Sequence, residues 1–233
     1  MRSQDSSPEP DNVFTRPVRP GRASPGLSQR SIVDACVRVL DGEGAGALTM
    51  RRIANELGAH ASSLYWYVKR REDLLDLSLD EILRGAAPGP GVQGGWREEV
   101  LETATCLYEA LASHAWAPAF AATRPLLGPN ALELFRRLLT SIASTGADPL
   151  TQSRAASTIS DFTLGSALAA ASARAAGLDM PASPLAQLVS RQVGSVAPLP
   201  PGVTNWQPSF AFGIGVVLDG LTPHLGQEAH PAW

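Results

Sequence analysis

The chain is predicted to be all-α, with a small helical head followed by a larger helical body. From Leu27 onward, apolar residues recur at the 3.6-residue spacing of helices that bury one face. No stretch sustains the period-two alternation of a half-buried strand. Clusters of Gly and Pro punctuate the apolar runs where helices would end. At 233 residues, with 44% hydrophobic and 18% charged residues, the chain is long enough for a true core. Its apolar runs fall well short of the ~20 residues a membrane span needs.

Residues 1–26 carry Pro8, Pro10, Pro17, Pro20 and Pro25 among Ser and Arg, which predicts a disordered tail. Arg16, Arg19 and Arg22 leave a basic arm as the alternative. Ile32, Cys36, Val39 and Leu40 mark the first helix, and Asp41 to Gly44 ends it. Thr49 is a good N-cap for a second helix whose apolar face is Met50, Ile53, Ala54 and Leu57. Gly58 reverses the chain, and a short third helix runs from about Ala61 to Tyr67. A fourth starts near Glu72 and Asp73, acids suited to a helix N-terminus, and continues through Leu74, Leu75, Leu79, Ile82 and Leu83. The head is set at 27–72 and the body at 73–233.

In the body, Pro88 to Gly91 with Gly94 and Gly95 breaks the chain. One helix follows from Val100, Leu101, Ala104, Leu107, Tyr108 and Leu111, and another from Leu132, Phe135, Leu138, Leu139 and Ile142. An Ala- and Ser-rich helix covers about 151–176. The Pro-rich stretch 178–207 reads as loop around a short helix at Leu185–Val193. Phe210, Ile214, Val217, Leu218 and Leu221 keep helical spacing, so the last apolar run is a helix although its composition also suits a strand. The helices near 150–176 and 208–222 are apolar on more than one face and must be covered. With small residues at Gly165, Ala167, Ala170, Gly213 and Gly215, they predict a homodimer through a four-helix interface.

The net charge of −3 excludes a uniformly basic coat, yet the charge is uneven. Residues 49–71 hold Arg51, Arg52, Lys69, Arg70 and Arg71 against Glu56 alone, while residues 74–233 hold eight Arg against thirteen acids. The same basic segment has the shape helix, Gly-containing turn, helix. Ser62 and Ser63 are short enough to let the second helix sink into a major groove, with Tyr65 and Tyr67 beside them. Lys69, Arg70 and Arg71 follow at once, where they would grip phosphates. An ordinary helical hairpin with a solvated basic end is the plainer reading; the concentrated charge favours double-stranded operator DNA as the partner. An enzyme would need a constellation that is not found: His60, His114, His224 and His230 lack a nucleophile or metal-ligand spacing. Cys36 and Cys106, without any CxxC, predict buried thiols, no metal and no disulfide. No cofactor is predicted. Without a charged-then-apolar leader or a membrane span, a cytoplasmic location is expected.

The run LTMRRIANELGAHASSLYWYVKRREDLLDLSLDEIL, residues 48–83, resembles the DNA-binding head of tetracycline-repressor-family regulators. LYWYVK is similar to the signature closing that family's recognition helix. Ala122-Thr123-Arg124-Pro125 resembles the family's GTRP stretch, and Asp161 to Gly165 its HFTLG stretch. Phe212-Gly213 through Leu218-Asp219-Gly220-Leu221 is similar to its terminal helix, so the likeness spans roughly 27–225. It implies a homodimeric transcriptional regulator, a repressor released from a pseudo-palindromic operator by a small molecule. A regulator that binds DNA without such an inducer, through a vestigial pocket or a protein partner, is the alternative. By this resemblance Arg51 and Ser63 fall at DNA-contacting positions, Tyr65 and Tyr67 at the groove edge, and Lys69 and Arg71 at phosphates. Ala61 and Ser62 replace Gln and Pro of the tetracycline-responsive members. Losing the Gln removes a bidentate base reader, so the operator must differ.

In those members a magnesium ion bridges drug and protein through a His and a Glu. The matching residues here are Phe120 and Ala169, which offer a divalent cation no oxygen or nitrogen donor. A metal–tetracycline chelate is therefore not the expected inducer. The expected pocket is aromatic and apolar, lined by Leu107, Trp116, Phe120, Thr123, Phe135 and Leu138, with Thr103, His114 or Asp161 as polar contacts. Such a lining suits a hydrophobic or amphipathic organic effector.

Overall fold

The computed structural model describes residues 12–16, 27–86, 94–178, 184–194 and 206–226. Among these every regular element is a helix, so the all-α class holds. The chain forms two compact units, one of Met1–Glu81 with Leu126–Pro129, the other of Ile82–Pro125 with Asn130–Trp233. The expected tail falls outside the described residues except at 12–16, as do the Pro88–Gly91 break and most of the Pro-rich stretch after Leu178.

In the first unit, α1 (Gln29–Glu43) opens on a capping box. Ser28 Oγ accepts from the Ser31 amide, and Ser31 Oγ accepts from the Ser28 amide. A single 3-10 turn at Ala45–Ala47 follows. α2 (Met50–Glu56) starts at Thr49, whose hydroxyl accepts from Arg52 N as the sequence predicts. Gly58 turns the chain at φ 61°, a left-handed value that a residue without Cβ adopts cheaply. α3 spans only Ala61–Leu64, and Tyr65 to Tyr67 form a turn rather than the expected last helical turn. α4 (Arg71–Ile82) buries Leu74, Leu75 and Leu79, and Ile32, Leu40, Leu48, Ile53 and Leu64 of the same unit are buried as well.

In the second unit, α5 (Trp96–Ala112), α6 (Ala117–Ala121), α7 (Pro129–Ala143), α8 (Pro149–Ala175), α9 (Pro184–Gly194) and α10 (Trp206–Leu225) follow in order. α8 is the central element, packed by α5, α6 and α10. Its small buried residues Ala155, Ala156, Ala167, Ala170 and Ala173 allow those close approaches. Polar ties fix the register. Arg97 reaches Asp219 Oδ1 at 2.6 Å, Gln207 donates to Glu109 Oε1, and Arg174 donates to the Ala112 carbonyl. Short α6 was not visible in the apolar pattern; Pro118 near its first position pre-sets a helical φ.

Cys36 is fully buried, and burial pushes its thiol up to about 12. Cys106 is only half-buried, contrary to expectation, because it lies on the flank of α5 with Glu102 and Glu109 nearby. Its thiol is also raised, first by partial burial and then by those two carboxylates. Among the described residues no helix is long and apolar enough to cross a membrane.

Candidate nucleic-acid interface and effector site

The head places its basic residues in distinct settings. Arg51 is exposed at the start of α2. Arg52, next to it, bridges two acids, reaching Glu43 Oε1 at 2.6 Å and Glu56 Oε2 at 2.9 Å. Donating to Glu43 and Glu56 raises the Arg52 guanidinium above its ordinary value, and accepting from Arg52 lowers the Glu43 carboxyl. Arg52 therefore cancels charge within the head. Arg71 donates to the Leu48 and Ala45 carbonyls at 2.7 and 2.6 Å, tying the start of α4 to the turn before α2. Lys69 and Arg70 are exposed.

On the recognition segment Ser62 is exposed and Ser63 half-buried, while Leu64 and Val68 anchor it in the core. Because α3 ends at Leu64, the next three aromatics fan out. Tyr65 and Trp66 stand 53% and 62% exposed, whereas Tyr67 turns back and its hydroxyl donates to the Leu27 carbonyl at 2.8 Å. A helix through Tyr67, as the sequence predicts, does not single out Trp66. Its position between two tyrosines, just before the basic triplet, is the available signal.

In the second unit the aromatic residues form two groups. Tyr108 of α5 stacks on Phe210 of α10, with centroids 4.2 Å apart and planes 7° off parallel, and Phe162 of α8 stacks on Phe210 at 5.9 Å. Gly213 makes room for Phe162: a Cβ there would lie 2.5 Å from Phe162 Cζ. Trp116 forms the second group, tilted against His114 at 5.9 Å and against Phe120 at 6.4 Å. Trp206, one turn before Phe210 on the same face of α10, has a buried indole N–H without a hydrogen-bond acceptor among the described residues. Buried indoles are ordinarily bonded.

Among the residues expected to line a pocket, Thr103, Leu107, Trp116 and Leu138 are buried, and His114, Phe120 and Phe135 are half-buried. The Thr103 hydroxyl donates to the Glu99 carbonyl within its own helix. Thr123 is exposed and bonded to the Ala119 and Phe120 carbonyls, and Asp161 is exposed on α8. The Thr123 hydroxyl thereby lies beside the backbone of Phe120, and Asp161 precedes Phe162 on α8. Sequence spacing does not single out Tyr108, Phe162, Phe210 and Trp206 as site residues, since the stack depends on which faces of α5, α8 and α10 meet. Among the described residues no group of three His, Cys, Asp or Glu side chains is placed to hold a metal ion.

Residues 32–77 match the model of bacterial regulatory proteins of the tetR family, and residues 87–225 that of the tetracyclin repressor-like C-terminal domain. A transcriptional regulator of the helix-turn-helix type from Saccharopolyspora erythraea is 33% identical over 232 residues, covering 97% of this chain and 98% of that protein. The crystal structure of ActR from Streptomyces coelicolor with actinorhodin aligns with TM-score 0.70 and 28% identity over 87% of this chain and 99% of its own. BioQ of Mycobacterium smegmatis aligns with TM-score 0.64 and 26% identity over 85% of this chain and 99% of its own, and a structure of BioQ with its DNA operator aligns at 0.63. The basic helix-turn-helix head, the all-helical body and near full-length likeness to such regulators agree: this chain belongs to the TetR family of DNA-binding transcriptional regulators.

Proposed function

We propose that the chain is a homodimeric repressor that binds a pseudo-palindromic operator and is released by a hydrophobic or amphipathic aromatic molecule. The observation that carries the DNA half is the recognition segment. Short Ser62 and Ser63 lead directly into exposed Tyr65 and Trp66, and exposed Arg51, Lys69 and Arg70 are at hand for phosphates. Ser62 and Ser63 read base edges, Tyr65 and Trp66 lie at the groove wall, and Arg51 and Lys69 grip the backbone. Tyr67 and Arg71, bonded to carbonyls of their own unit, hold that surface in shape and approach DNA only with their remaining atoms.

The effector half rests on the body's aromatic residues. Tyr108, Phe162 and Phe210 offer ring faces, Trp116 and Phe120 a second aromatic wall, and the Trp206 indole N–H a directional donor to a carbonyl or quinone oxygen. ActR, a structural relative, was crystallised with actinorhodin, which supports an aromatic polycycle as the ligand class here. Phe120, where a metal ligand would be needed, lies against Trp116, which favours a metal-independent inducer. The effector acts by binding the DNA-free state more tightly than the DNA-bound one.

The test is a gel shift with the DNA upstream of the chain's own gene, repeated with a panel of aromatic polyketides. A retarded band that Arg51→Ala abolishes, and that a panel member releases without added Mg²⁺, is expected. Release only in the presence of Mg²⁺ would overturn the effector reading, and binding unchanged by Arg51→Ala would overturn the head's assignment.

A further inference from the structure

The short segment Asn12–Arg16 is ordered against the DNA-reading unit. It forms a turn in which Asn12 Oδ1 accepts from the Phe14 amide at 2.9 Å and the Asn12 carbonyl accepts from the Thr15 amide at 3.2 Å. Phe14 is half-buried. Arg16 then reaches Asp73, with Nη1 2.5 Å from Oδ2. Asp73 is an unusual acceptor, since its side chain is 0% exposed although it lies in the first turn of α4. The same Oδ2 accepts from the backbone amides of Lys69 at 2.7 Å and Arg70 at 3.2 Å, and Oδ1 accepts from Arg70 Nε at 3.3 Å. The carboxylate thus gathers the turn after the recognition segment around itself. A buried carboxylate is costly unless paired, and removing one partner leaves an uncompensated charge. Burial alone would raise the Asp73 carboxyl, yet the bonds from Arg16 and the two amides outweigh it and leave it below its ordinary value.

We propose that Arg16 is a positioning residue for DNA binding: by compensating buried Asp73, it fixes the backbone of Lys69 and Arg70 in the pose that grips phosphates. The assignment rests on the reading of that turn as a phosphate grip. Segment 12–16, outside the helix-turn-helix, is then part of the DNA head. Arg16 itself touches no phosphate; its side chain is only 14% exposed and is turned to Asp73.

The experiment uses the full chain and its operator, with binding measured by fluorescence anisotropy at several salt concentrations. Arg16→Ala is expected to weaken binding about tenfold, leave the slope of log K against log salt unchanged, and speed amide exchange at Lys69 and Arg70. Arg16→Lys is expected to restore most of the affinity. A slope reduced by about one for Arg16→Ala would show a direct phosphate contact and overturn the positioning role. Unchanged affinity would overturn it as well. Arg16→Gln, which keeps a donor near Asp73, serves if the alanine variant melts early, and is expected to be intermediate in both affinity and amide exchange; wild-type values for both would overturn the assignment. In the Asp73→Asn background Arg16→Ala is expected to add no further loss, and a full additional loss would also overturn it. Lys69→Ala separates the two layers. An unchanged slope there sinks the phosphate grip itself, whereas a lowered slope with Arg16→Ala neutral sinks the role of Arg16 alone.

Discussion

Tyr67 shows how a residue type can be read while its task is hidden. Sequence places it with Tyr65 as an aromatic pair, and the structure gives the two opposite jobs, one facing outward and one bonded to Leu27. Tyr67→Phe keeps the ring and removes one part-buried hydrogen bond, so urea melts should show a loss of about 1 kcal/mol. Arg52 and Arg71 carry the same lesson, because formal charge counts them as DNA cations and tertiary partners claim them first. Those partners, Glu43, Leu48 and Ala45, lie nine to 26 residues away in sequence, beyond the reach of spacing rules. Asp73 gives a pH prediction at the same scale. Its carboxyl is lowered on folding, so its contribution is present in full at neutral pH and is lost as pH falls below about 4 through the folded value. Urea midpoints measured from pH 7 down to 3 should therefore fall less steeply for Asp73→Asn than for the wild type.

Helix positions were the most legible feature, since α1, α2, α5, α7, α8 and α10 each announce themselves by apolar spacing and end signals. The α8 N-terminus was less visible. Asp148 is its N-cap, accepting from Leu150 N at 3.0 Å and Thr151 N at 3.2 Å, and Pro149 follows at the first helical position. Asp148→Ala should cost about 1 kcal/mol by thermal melt, with the loss confined to the body. α3 was overdrawn by a turn because Tyr65 to Tyr67 suit a helix by propensity, and packing of Leu64 and Val68 into the core overrides it. The crossing of α8 and α10 was foreseen only as small residues seeking a partner. In the structure Gly213 receives Phe162 of the same chain, so Gly213→Ala must displace that ring. A loss of about 1–3 kcal/mol is expected, together with weaker effector binding in the same titration.

For the molecule as a whole, α10 leaves Phe212 and Val216 76% and 54% exposed, one turn apart. Such a face supports the proposed contact with a second copy. Val216→Asp should shift sedimentation to the monomer and weaken operator binding steeply, since two linked heads bind far more tightly than either alone. A variant that stays dimeric would place the interface elsewhere. If each head contributes Arg51 and Lys69, a dimer neutralises about four phosphates and log K should fall with log salt at a slope of about −4.

Trp66 and Trp116 have a practical consequence. One indole stands in solvent on the DNA-reading unit, while the other is 6% exposed among aromatic rings in the body. Their emission should differ in colour, red for Trp66 and blue for Trp116. With Trp96 and Trp233 changed to phenylalanine, and Trp206 kept as the proposed effector donor, the red and blue components become native optical probes of the two units. Operator titration is expected to quench the red component and effector titration the blue one, so the two halves of the regulatory cycle become visible in one cuvette without a label.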